Sequence, residues 1–127
     1  MIKLLMVGAG GFVGSVLRYL VSGAAQALFK NATFPLGTLV VNVTGCFAIG
    51  LIAQLAESRG FLSGTSRTFL VMGVLGGYTT FSAYANESFN LLRAGESPLA
   101  IVNVAGQVLL GLVCVWLGRD AAYLIWR

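Results

Sequence analysis

A few polar side chains fall inside runs apolar enough to cross a membrane: Thr38 and Asn42, Thr79, Thr80 and Ser82, and Asn103 and Gln107. All of them can donate a hydrogen bond, and Glu87 is the only acid inside such a run. Neutral donors without fixed charge suit a small anion that must shed water at modest cost and then leave again. Phe81 and Tyr84, spaced to share nearly one helix face, add two rings. A ring is electropositive at its edge and can supplement donors around an anion, although such a pair taken alone reads first as packing.

The polar residues nearest these rings belong to Gly73-Val74-Leu75-Gly76-Gly77-Tyr78-Thr79-Thr80, followed by Phe81-Ser82-Ala83-Tyr84-Ala85-Asn86-Glu87. Adjacent glycines and then adjacent β-branched hydroxyl residues predict a helix that unwinds over Gly76 to Thr80 and restarts after Thr80. In lipid, unwound backbone survives only where protein or a water-filled path satisfies it, and such breaks aim helix ends and freed carbonyls at ions.

The rest of the composition excludes most alternatives. Of 127 residues, 57% are hydrophobic and 9% charged, against about 25% charged in ordinary soluble domains. Mean hydropathy is +0.88, and the chain reads as an integral membrane protein. There is no His, no paired carboxylate set and no Gly-rich phosphate loop ending in Lys, so catalysis has almost nothing to use. Cys46 and Cys114 lie far apart in apolar runs, which argues against zinc or haem. The net charge of +4 comes from Lys and Arg near expected span ends, where snorkelling to headgroups explains them better than nucleic acid does.

The elements that must position these residues are helices of a single transmembrane domain over 1–127, with expected spans at about 2–20, 36–56, 68–92 and 99–117. An unbroken helix over 68–92 would be about 37 Å long, more than a hydrocarbon core of about 30 Å requires. A break absorbs the excess. Gly10 and Gly14 form a small-residue face on the first span, with Arg18 one turn on, either snorkelling or at an interface, or drawing anions into a vestibule. Thr38, Asn42 and Cys46 share one face of the second span, and Asn103, Gln107 and Gly111 one face of the fourth. Tyr123 and Trp126 suit an interfacial belt. With even crossings, Lys3, Arg59, Arg67, Arg119 and Arg127 lie on one side and Arg18, Lys30 and Arg93 on the other. So weak a bias permits insertion either way up.

Gly73-x-x-Gly76-Gly77-x-Thr79-Thr80-Phe81-Ser82-x-Tyr84-x-x-Glu87 strongly resembles the G-x-x-G-G-x-T-T-F-S-T-F-S-x-E signature of the Fluc, or CrcB, fluoride channels. Gly10-Gly11-x-x-Gly14-x-x-x-Arg18 resembles that family's first-helix pattern, and Gly37-Thr38-Leu39-x-x-Asn42-x-x-Gly45-x-x-x-x-Gly50 its second. The resemblance covers essentially the whole chain. It implies an all-α fold with the third of four transmembrane helices broken, and an antiparallel, dual-topology homodimer in a bacterial cytoplasmic (inner) membrane.

It further implies passive export of fluoride, giving fluoride resistance, and a structural sodium ion on the dimer axis held by the carbonyls of Gly76 and Thr79. Asn42, Phe81, Tyr84 and Gln107 would line the fluoride pathway, with Thr38, Thr80, Ser82 and Glu87 as further polar candidates and Arg18 at a vestibule or interface. The implied partners are fluoride, a second copy of the chain and lipid, with no nucleic acid. Ala83 and Ala85 replace hydroxyl residues of the signature, Tyr84 replaces a bare phenyl ring, and Gln107 is bulkier than a serine.

Two other functions fit the four-helix plan less well. A proton-coupled small multidrug transporter needs a membrane-embedded carboxylate, typically in the first helix, and that span holds neither Asp nor Glu. A non-conducting structural subunit has no need of the Gly-Gly-x-Thr-Thr-Phe break.

Overall fold

The structure is a computed structural model that describes every residue except Lys30, Asn31, Phe61, Ser63, Trp126 and Arg127, and the side chain of Arg59 is likewise left aside. The expected belt residue Trp126 and the charges of Lys30, Arg59 and Arg127 therefore lie outside what is described.

Among the described residues the regular structure is helical. Helix α1 (Ile2–Leu28) is followed by α2 (Leu36–Arg59), with Pro35 at the position just before α2. Short α3 (Gly64–Arg67) leads directly into a π-helical segment, Thr68–Leu75, and then into the single turn α4 (Gly76–Tyr78). After an interruption come α5 (Phe81–Arg93) and α6 (Ser97–Ile125). Three helices, Ile2–Leu28, Leu36–Ser58 and Ser97–Ile125, are long and apolar enough to cross a membrane. Helices α1 and α6 run past the expected ends at residues 20 and 117, because nothing at either point frees the backbone from its helical bonds. Arg119 lies within α6, where it donates a bidentate pair of hydrogen bonds to Glu57 at 2.8 and 2.9 Å and so ties α6 to α2.

Pairings between helices fix their directions. Asn42 meets Gln107 and Arg119 meets Gln54, each pair 65 residues apart, so α2 and α6 run parallel. Their backbones are close: a Cβ on Gly50 would strike the Val115 carbonyl, and one on Gly118 the Phe47 carbonyl. The first helix runs parallel to the broken one in the same manner. A Cβ on Gly10 would lie 2.8 Å from the Gly73 Cα, one on Gly77 would lie 2.6 Å from the Gly11 carbonyl oxygen, and one on Gly14 would strike the Val74 carbonyl. The small-residue face of α1 is thus a docking surface for the segment 68–78. Close approach of two backbones at glycine is how membrane helices gain packing without a hydrophobic drive.

This packing corrects one expectation. Gly76 and Gly77 do not unwind; Gly76 has helical dihedrals of φ −62° and ψ −37°. Gly77 is there to meet Gly11, not to break the helix. Within the expected break, Thr79 (φ −84°, ψ 159°) and Thr80 (φ −152°, ψ 114°) are the extended residues. The π-helical segment is a second departure from a simple helix: the Gly76 N–H reaches back five residues to the Val71 carbonyl. Such wide turns recur near functional positions, and this one lies immediately before the break.

Candidate functional site

The break is built by side chains that replace helical bonds. Thr79 still closes its turn, giving both its N–H and its hydroxyl to the Leu75 carbonyl at 3.0 Å. The next N–H does not. Thr80 donates its N–H to Asn42 Oδ1 at 2.8 Å, and Asn42 Nδ2 returns a bond to the Thr80 carbonyl at 3.1 Å. The Asn42 amide therefore grips Thr80 as a neighbouring β-strand would, holding it extended. The Thr80 hydroxyl then accepts from the Ala83 N–H at 3.2 Å, an N-cap that restarts the helix at Phe81. The expected restart after Thr80 is where the structure has it.

Two open pockets flank the break, and Thr80 borders both. The first, of about 420 Å³, brings together Asn42, Phe81, Tyr84 and Gln107 with Gly76 and Thr79, against a wall that includes Leu75 and Val108. The rings of Phe81 and Tyr84 have centroids 5.4 Å apart and planes tilted by 56°. Phe81 is 79% exposed. Tyr84 turns its hydroxyl to the Val104 carbonyl at 3.4 Å, a long bond to α6, so the phenol has a protein partner.

The second pocket, of about 410 Å³, is more polar and holds Arg18, Ser22, Thr38 and Glu87. The Thr38 hydroxyl donates to Glu87 Oε1 at 2.6 Å, while Oε2 is enclosed without a hydrogen-bond partner among the described residues. Arg18 is half-buried, and its Nη1 lies 3.5 Å from the Thr79 carbonyl. Ser82 borders neither pocket and is exposed, its hydroxyl 3.3 Å from that of Thr80.

Behind the first pocket the polar residues join in a continuous relay. Asn42 Nδ2 donates to Gln107 Oε1 at 2.7 Å, and Gln107 Nε2 to Asn103 Oδ1 at 3.2 Å. Asn103 Nδ2 donates to the Ser88 hydroxyl at 2.9 Å, which donates to the Tyr84 carbonyl at 2.8 Å. The stripe of Asn103, Gln107 and Gly111 on α6 is buried as a unit. Ser88 carries no mark in the sequence beyond standing one helical turn after Tyr84. Both amide hydrogens of Asn42 are engaged by protein acceptors, so in this conformation Asn42 shapes the pocket as much as it lines it.

The break also frees carbonyl oxygens. The Thr80 N–H that would bond the Gly76 carbonyl in a continuing helix goes to Asn42 instead. The Thr79 carbonyl, in extended backbone, has Arg18 at 3.5 Å. Neutral, hard oxygens of this kind suit an alkali or alkaline-earth cation rather than a soft metal.

Compared with known proteins, residues 5–119 match the family described as CrcB-like protein, Camphor Resistance (CrcB). The chain belongs to the CrcB family. A relative from Opitutus terrae, "Fluoride-specific ion channel FluC", is 48% identical over 93% of this chain and 90% of its own length. One of the same name from Chlorobium phaeobacteroides is 45% identical over 95% and 93%. "Fluoride-specific ion channel FluC 1" of Methanosarcina acetivorans is 43% identical over 96% and 92%. With its apolar helices, this CrcB family member is a multi-pass integral membrane protein.

Proposed function

We propose that this CrcB family member is a subunit of a fluoride-selective channel, not an enzyme, that lets cytoplasmic fluoride leave passively and so confers fluoride resistance. The observation that carries this reading is the first pocket, where one helix break brings the Phe81 and Tyr84 rings together with the Asn42 and Gln107 amides. The names of the relatives agree with it. Fluoride enters cells as neutral HF, ionises in the neutral cytoplasm and is trapped there. An inside-negative potential drives an anion out by roughly 2.3 kcal/mol per 100 mV, so a channel suffices.

The broken helix supplies the fourth crossing, and the functional unit is an antiparallel dimer with a second copy of the chain. The first pocket supports the dimer: it is open, and Phe81 at its edge is 79% exposed. An ion route cannot lie open to hydrocarbon, and extended backbone at that depth needs a protein cover. Sodium fits the freed carbonyls of Gly76 and Thr79, which would hold it and contribute only neutral oxygen donors. When bound, a cation there adds fixed positive charge beside the anion route. Fluoride would meet the ring edges and the Gln107 amide in the first pocket, with Thr80 leading towards the polar pocket of Arg18, Thr38 and Glu87. Exposed Ser82 joins the route only through its contact with Thr80.

Cells lacking their own fluoride exporter give the direct physiological test. Expression of this chain is expected to restore growth in mildly acidic medium containing millimolar fluoride. No rescue, with the protein verified in the membrane, contradicts the proposal. Tyr84→Phe is expected to change fluoride flux by less than about fivefold, since the lost bond is long and neutral hydrogen bonds contribute about 1 kcal/mol or less when weak. A far larger loss in a flux assay would assign the phenol itself to the route.

A further inference from the structure

The relay behind the pocket has a direction that its two ends impose. At one end the Thr80 N–H can only donate, and at the other the Tyr84 carbonyl can only accept. Asn42 must therefore present Oδ1 to Thr80, and its nitrogen to Gln107. Gln107 must then turn its oxygen to Asn42 and its nitrogen to Asn103, which passes its own nitrogen to Ser88. Reversing any one amide would set donor against donor or acceptor against acceptor. Water is not available to repair such a fault at Asn103, which is 0% exposed, and scarcely at Gln107, which is 9% exposed. Oxygen and nitrogen are normally hard to tell apart in an amide side chain, but here the backbone ends settle them.

Gln107 Nε2 carries two hydrogens, of which Asn103 takes one. The same side chain borders the pocket beside Phe81 and Tyr84. We infer that Asn103 and Ser88, which touch neither pocket, are positioning residues that hold the Gln107 amide so that its remaining N–H faces the anion. Asn42 fixes the oxygen end of that amide and Asn103 the nitrogen end, so the donor is held at two points. The inference rests on the fluoride reading of the pocket and adds the residues that orient its donor.

Side-chain amide NMR of the 15N-labelled full-length protein in detergent micelles tests it. One NH2 pair, identified by its absence in Gln107→Ser, is expected to shift saturably with fluoride and not with chloride. In Asn103→Leu and in Ser88→Ala that shift should shrink by about fivefold or more, and fluoride flux in liposomes should fall by a similar factor, the scale expected for losing an aligned hydrogen bond. Ser88→Ala removes one atom, so it keeps the test available if Asn103→Leu does not assemble. A wild-type protein that conducts fluoride while this NH2 pair stays silent overturns the inference, as does an equal response in wild type and both variants. Absence of any fluoride flux in the wild type would instead overturn the functional reading on which it rests.

Discussion

Asn42→Asp is expected to lower fluoride flux by about 100-fold or more while leaving the protein assembled in the membrane. The substitution is nearly isosteric, yet it replaces Nδ2 with an oxygen facing the Thr80 carbonyl and Gln107 Oε1, where the native amide donates at 3.1 and 2.7 Å. Two attractive contacts become acceptor against acceptor. Each buried group left unsatisfied costs about 1–3 kcal/mol, and a charged oxygen adds more. The Thr80 N–H bond to Oδ1 survives, so the break persists while the pocket's amide relay is cut and negative charge is set beside the proposed fluoride route. Fluoride efflux from liposomes measures the first effect and size-exclusion chromatography the second. Unchanged efflux would remove Asn42 from any role in conduction.

Phe81→Ile is expected to reduce fluoride throughput by about two- to tenfold, as the proposed route would lose an aromatic edge worth about 0.5–1.5 kcal/mol. Because Phe81 is 79% exposed within one chain, the change opens no cavity in that chain's core. Expression and thermal stability should therefore stay close to wild type, which separates this variant from one that merely unfolds. Wild-type throughput in Phe81→Ile would argue that the ring serves packing only. The tilted contact with Tyr84, at 5.4 Å, also predicts that the remaining ring gains freedom, so the loss should not be restored by a second aliphatic substitution at Tyr84.

How much of this was legible in the sequence depends on what kind of signal each residue carries. The restart of the helix at Phe81 was readable because Thr80 is a good N-cap and the chain beyond it continues without a breaker. The start of the break was misplaced because glycine has two meanings in a membrane helix. At Gly77 it is a contact, and the residue that decides this is Gly11, far away in the sequence. The stripes on α2 and α6 were visible at spacing of four, but their mutual register was not. Nothing in the sequence says that Asn42 meets Gln107 rather than another polar residue. Likewise the π-helical turns over Thr68–Leu75 leave no mark in the composition of that segment. Arg18 was ambiguous for a physical reason: a long cationic side chain can snorkel or turn inward, and the freed Thr79 carbonyl, a product of the tertiary fold, draws it in.

The most direct test of the central claim is ion efflux from liposomes containing the purified wild-type protein in sodium buffer, followed with fluoride and chloride electrodes. Rapid, protein-dependent fluoride release is expected, without ATP or a proton gradient, with chloride release no faster than from protein-free liposomes. Fluoride held inside liposomes that demonstrably contain the protein, or chloride leaving as fast as fluoride, would contradict it.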